Sequence, residues 1–342
     1  MTRAEAVVAG LAVATLGALV LAVAVGPVTV SPVDTVRVLL GATPADPTAS
    51  ALIGAVRVPR AVTAALSGAA LGVAGLQLQT LFRNPLAEPH VLGVSAGASL
   101  GVALAVAGAG GGAAGVFASG LTGAGRIGTI SAAALGAAVV LGAVLVLSRW
   151  VRSGVVLLII GVMVGSLATA AVSLLLTLID PQQAQQFIAW GLGSFSGTTA
   201  PDLLVLAPVV GLGLVVALAG VKPLNALLLG EDHARSVGVR VGRTRLVVLV
   251  SSSVLAGAVT AFCGPIAFLG MAVPHLARLA VGTSDHQVLL PTSLLAGATV
   301  ALVCAIVTHL PGGPVPINVI TSVVGAPVVI AVLLRSRRMA WA

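Results

Sequence analysis

The sequence predicts an all-α polytopic membrane protein of about ten transmembrane helices, with both termini in the cytoplasm and short cytoplasmic helices between spans six and seven. Three observations predict it. The 342 residues are 58% hydrophobic and only 8% charged, against about 25% charged in soluble domains, so one water-soluble core cannot hide this much apolar surface. Ten apolar runs approach the ~20 residues that a helix needs to cross a bilayer. The basic residues fall unevenly between those runs, as the cytoplasmic bias of arginine and lysine demands.

In chain order the runs lie near 5–26, 59–82, 92–109, 129–148, 155–178, 201–220, 246–262, 266–281, 288–309 and 316–334. The first exceeds the roughly 7–15 apolar residues of a signal peptide and reads as a retained span. The seventh and eighth are separated only by Gly264-Pro265, and the eighth is short and carries Pro274. Charge decides that they are two. With ten spans, Arg3, Arg83, Arg149, Arg152, Lys222, Arg235, Arg240, Arg243, Arg245, Arg278, Arg335, Arg337 and Arg338 all lie inside, leaving Arg37, Arg57, Arg60 and Arg126 outside. Merging the pair would move Arg335, Arg337 and Arg338 out, against the positive-inside rule.

The chain is organised around Phe82–Gly101, where Arg83, Asn84, Pro85, Glu88, Pro89 and His90 sit between two long apolar runs. The two prolines lack an N–H and push their predecessors out of helical geometry, so a helix ends near Phe82. Gly93, Gly97 and Gly101 then place small residues on one face of the next helix, which lets helix backbones approach closely in lipid. Among the outer segments, 27–58 is long with Pro and Asp, 109–128 is Gly-rich and loose, and 179–200 holds four glutamines and Trp190, as suits an interfacial segment or vestibule wall. The inner segment 221–245 reads as two small helices. One lies in LNALLL after Pro223 and one in EDHARSVG, with acids first and arginine later as the helix dipole prefers; Gly230 breaks between them and Gly238 ends the second. Such a segment either docks another protein or is a solvated basic loop that sets topology.

Several chemistries are absent. The only lysine is Lys222, so there is no Walker A phosphate loop. No metal site is expected: His90, His233, His275, His286 and His309 show no ligand spacing, and Cys263 and Cys304 read as buried thiols. No nucleophile comes with a positioned base. In a chain this apolar the net charge of +8 speaks for topology rather than for nucleic acid. All nine acids fall in or beside loops, whereas proton-coupled carriers place ionisable groups within the bilayer. A pore whose energy comes from a cytoplasmic partner is the natural reading. The alternative is a secondary transporter driven by an ion gradient, with the Gly264-Pro265 break as its best support.

RNPLAEPHVLGVSAGASLG (83–101) resembles the signature of permease subunits of ABC importers for iron chelates, haem and vitamin B12, the iron-siderophore permease family of type II importers. VRVPRAV (56–62), LIIGVMVG (158–165), WGLGSFSG (190–197), LLLGEDHARSVGV (227–239), GPIAFLGMAVPHLARLAVGTSDHQVLLP (264–291) and TSVVGAPVVIAVLL (321–334) resemble the family in the same order. The likeness covers about 50–335 of a single permease domain taken as 1–342. It implies a homo- or heterodimer of ten-helix subunits in a bacterial cytoplasmic membrane. Two cytoplasmic ATPase subunits would bind ATP and magnesium, this chain would hold no cofactor, and an extracytoplasmic binding protein would deliver the solute. The cargo implied first is a ferric siderophore, with haem or vitamin B12 after it.

Carried over residue by residue, the resemblance assigns ATPase coupling to Gly230, Glu231, Ala234, Arg235 and Gly238. It assigns a cytoplasmic gate to Asn84, Leu86, Ser153 and Gly154. An apolar Leu and an amide at a narrow mouth can close a pore by packing and dewetting; a plain turn cap is the other reading of Asn84. Binding-protein docking falls to Arg57 and Arg60, with His309 where the family often has another arginine. Two further departures precede the last span, Pro314 for an acid and Asn318 for a glycine, and bear on loop geometry and the choice of binding protein.

Overall fold

The computed structural model describes residues 3–26, 28, 30–42, 47–108, 124–151, 153–309 and 315–340. The Gly-rich stretch 109–123, Arg152 and Pro314 lie outside the described residues. Those described form helices and turns, with no strand among them. In order the helices are α1 (Arg3–Ala24), α2 (Pro32–Leu39), α3 (Pro47–Leu52), α4 (Val58–Phe82), α5 (Val94–Gly108), α6 (Ala124–Ser148), α7 (Gly154–Leu178), α8 (Pro181–Gly191) and α9 (Ala200–Ala219). They continue as α10 (Val221–Leu228), α11 (Glu231–Ser236), α12 (Val241–Cys263), α13 (Leu269–Val281), α14 (His286–Val307) and α15 (Ile317–Ala340).

Each expected apolar run coincides with a helix. Among the described residues, seven helical runs are long and apolar enough to cross a membrane, and α5, α13 and the apolar part of α15 are shorter apolar helices. Apolar faces that the chain itself leaves open (for α1, α6, α7 and α9) need lipid or a partner to cover them. The helical run Ser50–Phe82 is instead 83% buried over its apolar window.

The second helical run begins earlier than the expected residue 59. A π-turn over Ile53–Arg57 joins α3 to α4, and the Val58 N–H reaches back to the Ile53 carbonyl. Pro59 supplies no N–H, and the widened turn before it absorbs the lost bond and the ring's bulk.

Contacts divide the chain into two compact units. One comprises Met1–Leu76, Ser194–Pro208 and Ala267–Ala342. Here α1 packs along α14, with the Thr15 and Thr299 hydroxyls 2.8 Å apart. Gly68 and Gly297 face each other so closely that a Cβ on either would strike the other's carbonyl oxygen, and a Cβ on Gly75 would strike the carbonyl oxygen of Gly270. The entry to α13 is bent: Phe268 adopts a left-handed φ of 68°, unusual for a bulky residue. Gly325 of α15 makes room for its ring, and the Asn318 side chain accepts a hydrogen bond from the Ala267 N–H at 3.1 Å.

The other unit comprises Gln77–Gly193 and Val209–Ile266. Its centre is α5 against α6 and α7. The glycine stripe is shared between two neighbours. A Cβ at Gly97 or Gly101 would run into the carbonyls of Gly136 or Ala132 on α6, and one at Gly93 would meet Gly161 and Gly165 on α7. Helix α12 starts at Val241, before the expected 246, so Arg243 and Arg245 belong to a helix rather than a loop. Cys263 here and Cys304 in the other unit are buried thiols.

Candidate functional site

Helix α4 ends at Phe82, and the chain turns at Arg83, whose φ of 47° is left-handed. The Asn84 side-chain oxygen accepts from the Leu86 N–H at 2.9 Å, and the Asn84 carbonyl accepts from the Ala87 N–H at 3.1 Å. This Asx turn holds Pro85 and Leu86 outward, with Leu86 37% exposed. A 3₁₀ turn over Pro89–Leu92 follows, and Gly93, at φ 75°, starts the run into α5. Ser153 caps α7, its hydroxyl accepting from the Val156 N–H at 3.5 Å. Gly154 lies against Phe82, with its Cβ position 3.7 Å from that ring. Of the four gate residues expected from the sequence, Asn84 and Leu86 lie in the turn that follows α4, and Ser153 and Gly154 open α7, Gly154 against the end of α4.

The two chain breaks singled out in the sequence also meet. His90 Nε2 lies 2.6 Å from the carbonyl of Ile266. Gly264, at φ 74°, packs its backbone on Trp190 where no Cβ fits. Beside the turn, a groove of about 630 Å³ is lined by His90, Gly161, Gly165, Ser166, Thr169 and Ser173, among others. The Thr169 and Ser173 hydroxyls donate to carbonyls one turn earlier, at 2.9 and 3.1 Å. The groove is therefore only weakly polar.

The inner segment 221–245 folds as two short helices and the start of α12. Gly230, at φ 116°, separates α10 from α11. At the other end the Val239 N–H bonds the Ala234 carbonyl and the Gly238 N–H bonds the Arg235 carbonyl, with Gly238 at φ 85°. That pair of bonds is a Schellman closure, which needs a left-handed residue at the glycine. Ala234 is fully buried. Arg235 pairs with Glu231 and Asp232, each at 2.7 Å, and the second Glu231 oxygen receives Arg245 at 2.8 Å. Arg245 also donates to the Val151 carbonyl at 3.2 Å. Glu231 is thus the brace between α11 and α12.

Three features here escaped the sequence reading. Leu229 and Val237, 70% and 57% exposed, put apolar side chains next to the two glycine breaks. Arg83 donates to the carbonyl of Leu228 at 3.2 Å and covers Gly230. The available signal was an apolar residue beside each helix-breaking glycine.

The three expected docking residues lie in the first unit. Arg57 and Arg60 are 2% and 3% exposed. Arg57 donates to the carbonyls of Val23 at 3.1 Å and Ala24 at 2.7 Å, and to that of Val28; Arg60 donates to those of Ala22 at 2.6 Å and Val25 at 2.7 Å. Both cap the C-terminus of α1, where the helix dipole attracts cations. His309 Nε2 lies 3.5 Å from the Ser196 hydroxyl. Burial, then the nearby Arg60 and Arg57, hold the His309 imidazole below its ordinary pKa. Among the described residues no three His, Cys, Asp or Glu side chains gather as a metal-ligand set.

Comparison with known proteins converges on one class. The profile of the FecCD transport family matches residues 14–335. The hemin transport system permease protein of Yersinia pestis is 34% identical over 286 residues, which is 82% of this chain and 83% of that protein. The cobalamin import system permease protein of Halobacterium salinarum is 35% identical over 296 residues, 85% of this chain and 75% of that one. Among solved structures, an inward-facing metal-chelate type ABC transporter superposes with a TM-score of 0.80 at 29% identity, covering 97% of this chain and 99% of its own.

Proposed function

The chain belongs to the FecCD transport family, and from that membership we propose that it is the permease subunit of a binding-protein-dependent ABC importer carrying a ferric siderophore. Haem and vitamin B12 are the competing cargoes, since relatives named for hemin and cobalamin are about equally similar. Two permease subunits would frame the path, two ATPase subunits would bind ATP and magnesium below, and a binding protein would dock above. The seven long helices and three shorter apolar ones would supply ten crossings with cytoplasmic termini, in a bacterial cytoplasmic membrane.

The carrying observation is the pair α10 and α11, braced by Glu231 and exposing Leu229 and Val237. A solvated loop that only sets topology has no reason to end in a Schellman closure with two apolar residues left uncovered. In this reading Gly230, Glu231, Ala234, Arg235 and Gly238 shape the piece that meets an ATPase. Asn84, Leu86, Ser153 and Gly154 close the inner mouth. The groove beside Ser166, Thr169 and Ser173 forms a wall of the path, and the Thr169 and Ser173 hydroxyls, already bonded within α7, suit a passage that does not grip its cargo. Arg57, Arg60 and His309 serve the outer docking side, the arginines through their charge because both side chains are buried against the end of α1.

Co-expression with neighbouring genes and extraction in mild detergent test the reading. An ATPase that copurifies and is stimulated by a binding protein is the expected outcome. A chain that purifies alone and moves solute on an ion gradient without ATP would return the secondary-transporter reading.

A further inference from the structure

A groove of about 380 Å³ opens where α9 ends and α12 begins. That lies within the roughly 300–1,000 Å³ of small-molecule sites. Its apolar wall includes Val216, Ala219, Val247 and Val248, residues of two helices each long and apolar enough to cross a membrane. Its rim carries Arg240 and Arg243, both exposed. Neither guanidinium has a hydrogen-bonding or ion-pair partner among the described residues. No acid lines the groove. The contrast is with Arg235 and Arg245 on the same segment, which are both paired with Glu231.

We propose that this groove is a binding site for one anionic phospholipid, its phosphate held by Arg240 and Arg243 and its glycerol and upper acyl chain laid along Val216 and Val247. The placement is that of a headgroup site. The charge sits at the ends of two spans, where a phosphodiester lies, and the apolar wall continues along the helices in the acyl direction. Arginine suits the task because its planar fork takes phosphate oxygens two at a time. Juxtamembrane basic groups of this kind select anionic over zwitterionic lipid. A bound lipid would also cover the joint between α9, α10 and α12, so it would steady the segment that carries α11. The site itself does not depend on which solute is carried or on how transport is powered.

Lipid retention by the purified, delipidated full-length chain tests the assignment. Native mass spectrometry would be run with phosphatidylglycerol and phosphatidylcholine of identical chains, mixed in equal amounts. The expected result is one retained phosphatidylglycerol, preferred roughly thirtyfold, which is what two basic groups at a membrane surface supply together. Arg240→Gln with Arg243→Gln should abolish the preference. Val216→Trp, which fills the groove and leaves the charge alone, should expel the lipid; each variant is accepted only with unchanged circular dichroism. Equal retention of both lipids by the wild type, or a preference that survives the double substitution, overturns the proposal. So does a wild-type chain that holds no lipid but loses copurifying ATPase subunits when both arginines are changed, since the acceptor is then protein.

Discussion

Arg83, held in a left-handed turn at the end of α4, places its guanidinium 3.2 Å from the carbonyl of Leu228, the last residue of α10. The same guanidinium lies 3.0 Å from where a Cβ on Gly230 would stand. One side chain therefore joins the turn that carries Asn84 and Leu86 to the break between α10 and α11. A non-glycine residue with positive φ persists only where its surroundings hold it there.

Arg83→Asn should uncouple transport from ATP hydrolysis. Asparagine tolerates the left-handed backbone but cannot reach Leu228. The contact is exposed, so it contributes about 1 kcal/mol or less, and solute uptake in proteoliposomes should fall several-fold. Assembly and basal ATPase activity should persist. Unchanged uptake would show that the contact transmits nothing.

Glu231→Gln keeps the side-chain volume and removes the charge that Arg235 and Arg245 share. The Arg235 pairing is half exposed and contributes under about 1 kcal/mol. The Arg245 side chain is only 11% exposed, and losing its carboxylate partner leaves a largely buried cation with the Val151 carbonyl as a remaining acceptor. Binding-protein-stimulated ATPase activity should drop several-fold, and the melting midpoint should fall because the Arg245 cation is left without its carboxylate. A loss of ATPase copurification would instead place Glu231 in the interface itself.

The helices were legible because apolar run length is a local property, and so was the glycine cap at Gly238, because a left-handed closure is decided by a few neighbouring residues. The stripe Gly93, Gly97 and Gly101 announced close packing but not that α6 takes two of them and α7 the third, since the partners lie 31 to 72 residues along the chain. Arg57 and Arg60 read as outer docking charges, yet their acceptors are the last carbonyls of α1 and those just beyond it, which no pattern around Pro59 reveals. Asn318 looked like a mere departure from a family glycine; its acceptor role appears only once Ala267 is beside it.

Gly101→Val should be far more damaging than Gly257→Ala. A Cβ at Gly101 would occupy the space of the Ala132 carbonyl, whereas one at Gly257 would meet Ala137 and Val94 at 3.6 Å, an ordinary contact. The first change should lie at or above the roughly 1–3 kcal/mol cost of overpacking, the second near zero. Thermal unfolding in detergent distinguishes them, and equal midpoints would contradict the α5–α6 contact.

Asn318→Ala removes the acceptor for the Ala267 N–H next to the strained Phe268. An unmade bond of this kind costs about 1–3 kcal/mol when the donor is buried; Ala267 is half-buried, which points to the lower end. Hydrogen exchange should quicken at Ala267 and through the first turn of α13 but not in α12. Uniform quickening would mean that the side chain supports the whole fold rather than this bend.

His309 gives a pH dependence whose sign follows from its surroundings. Burial, then Arg60 and Arg57, lower the imidazole pKa below 6.5 in the folded chain, so between that lowered value and 6.5 the unfolded chain binds more protons. Stability from this group is therefore present above about pH 6.5 and is lost as pH falls through the folded value. Wild-type protein should show a melting midpoint that declines over this window more steeply than that of His309→Gln. Docking should respond in the opposite sense. An acidic binding protein would favour the imidazolium, so its affinity should rise on acidification, and His309→Gln should flatten that rise. A wild-type affinity that stays level across the window, with melting that still declines, would confine His309 to a structural role at the end of α14.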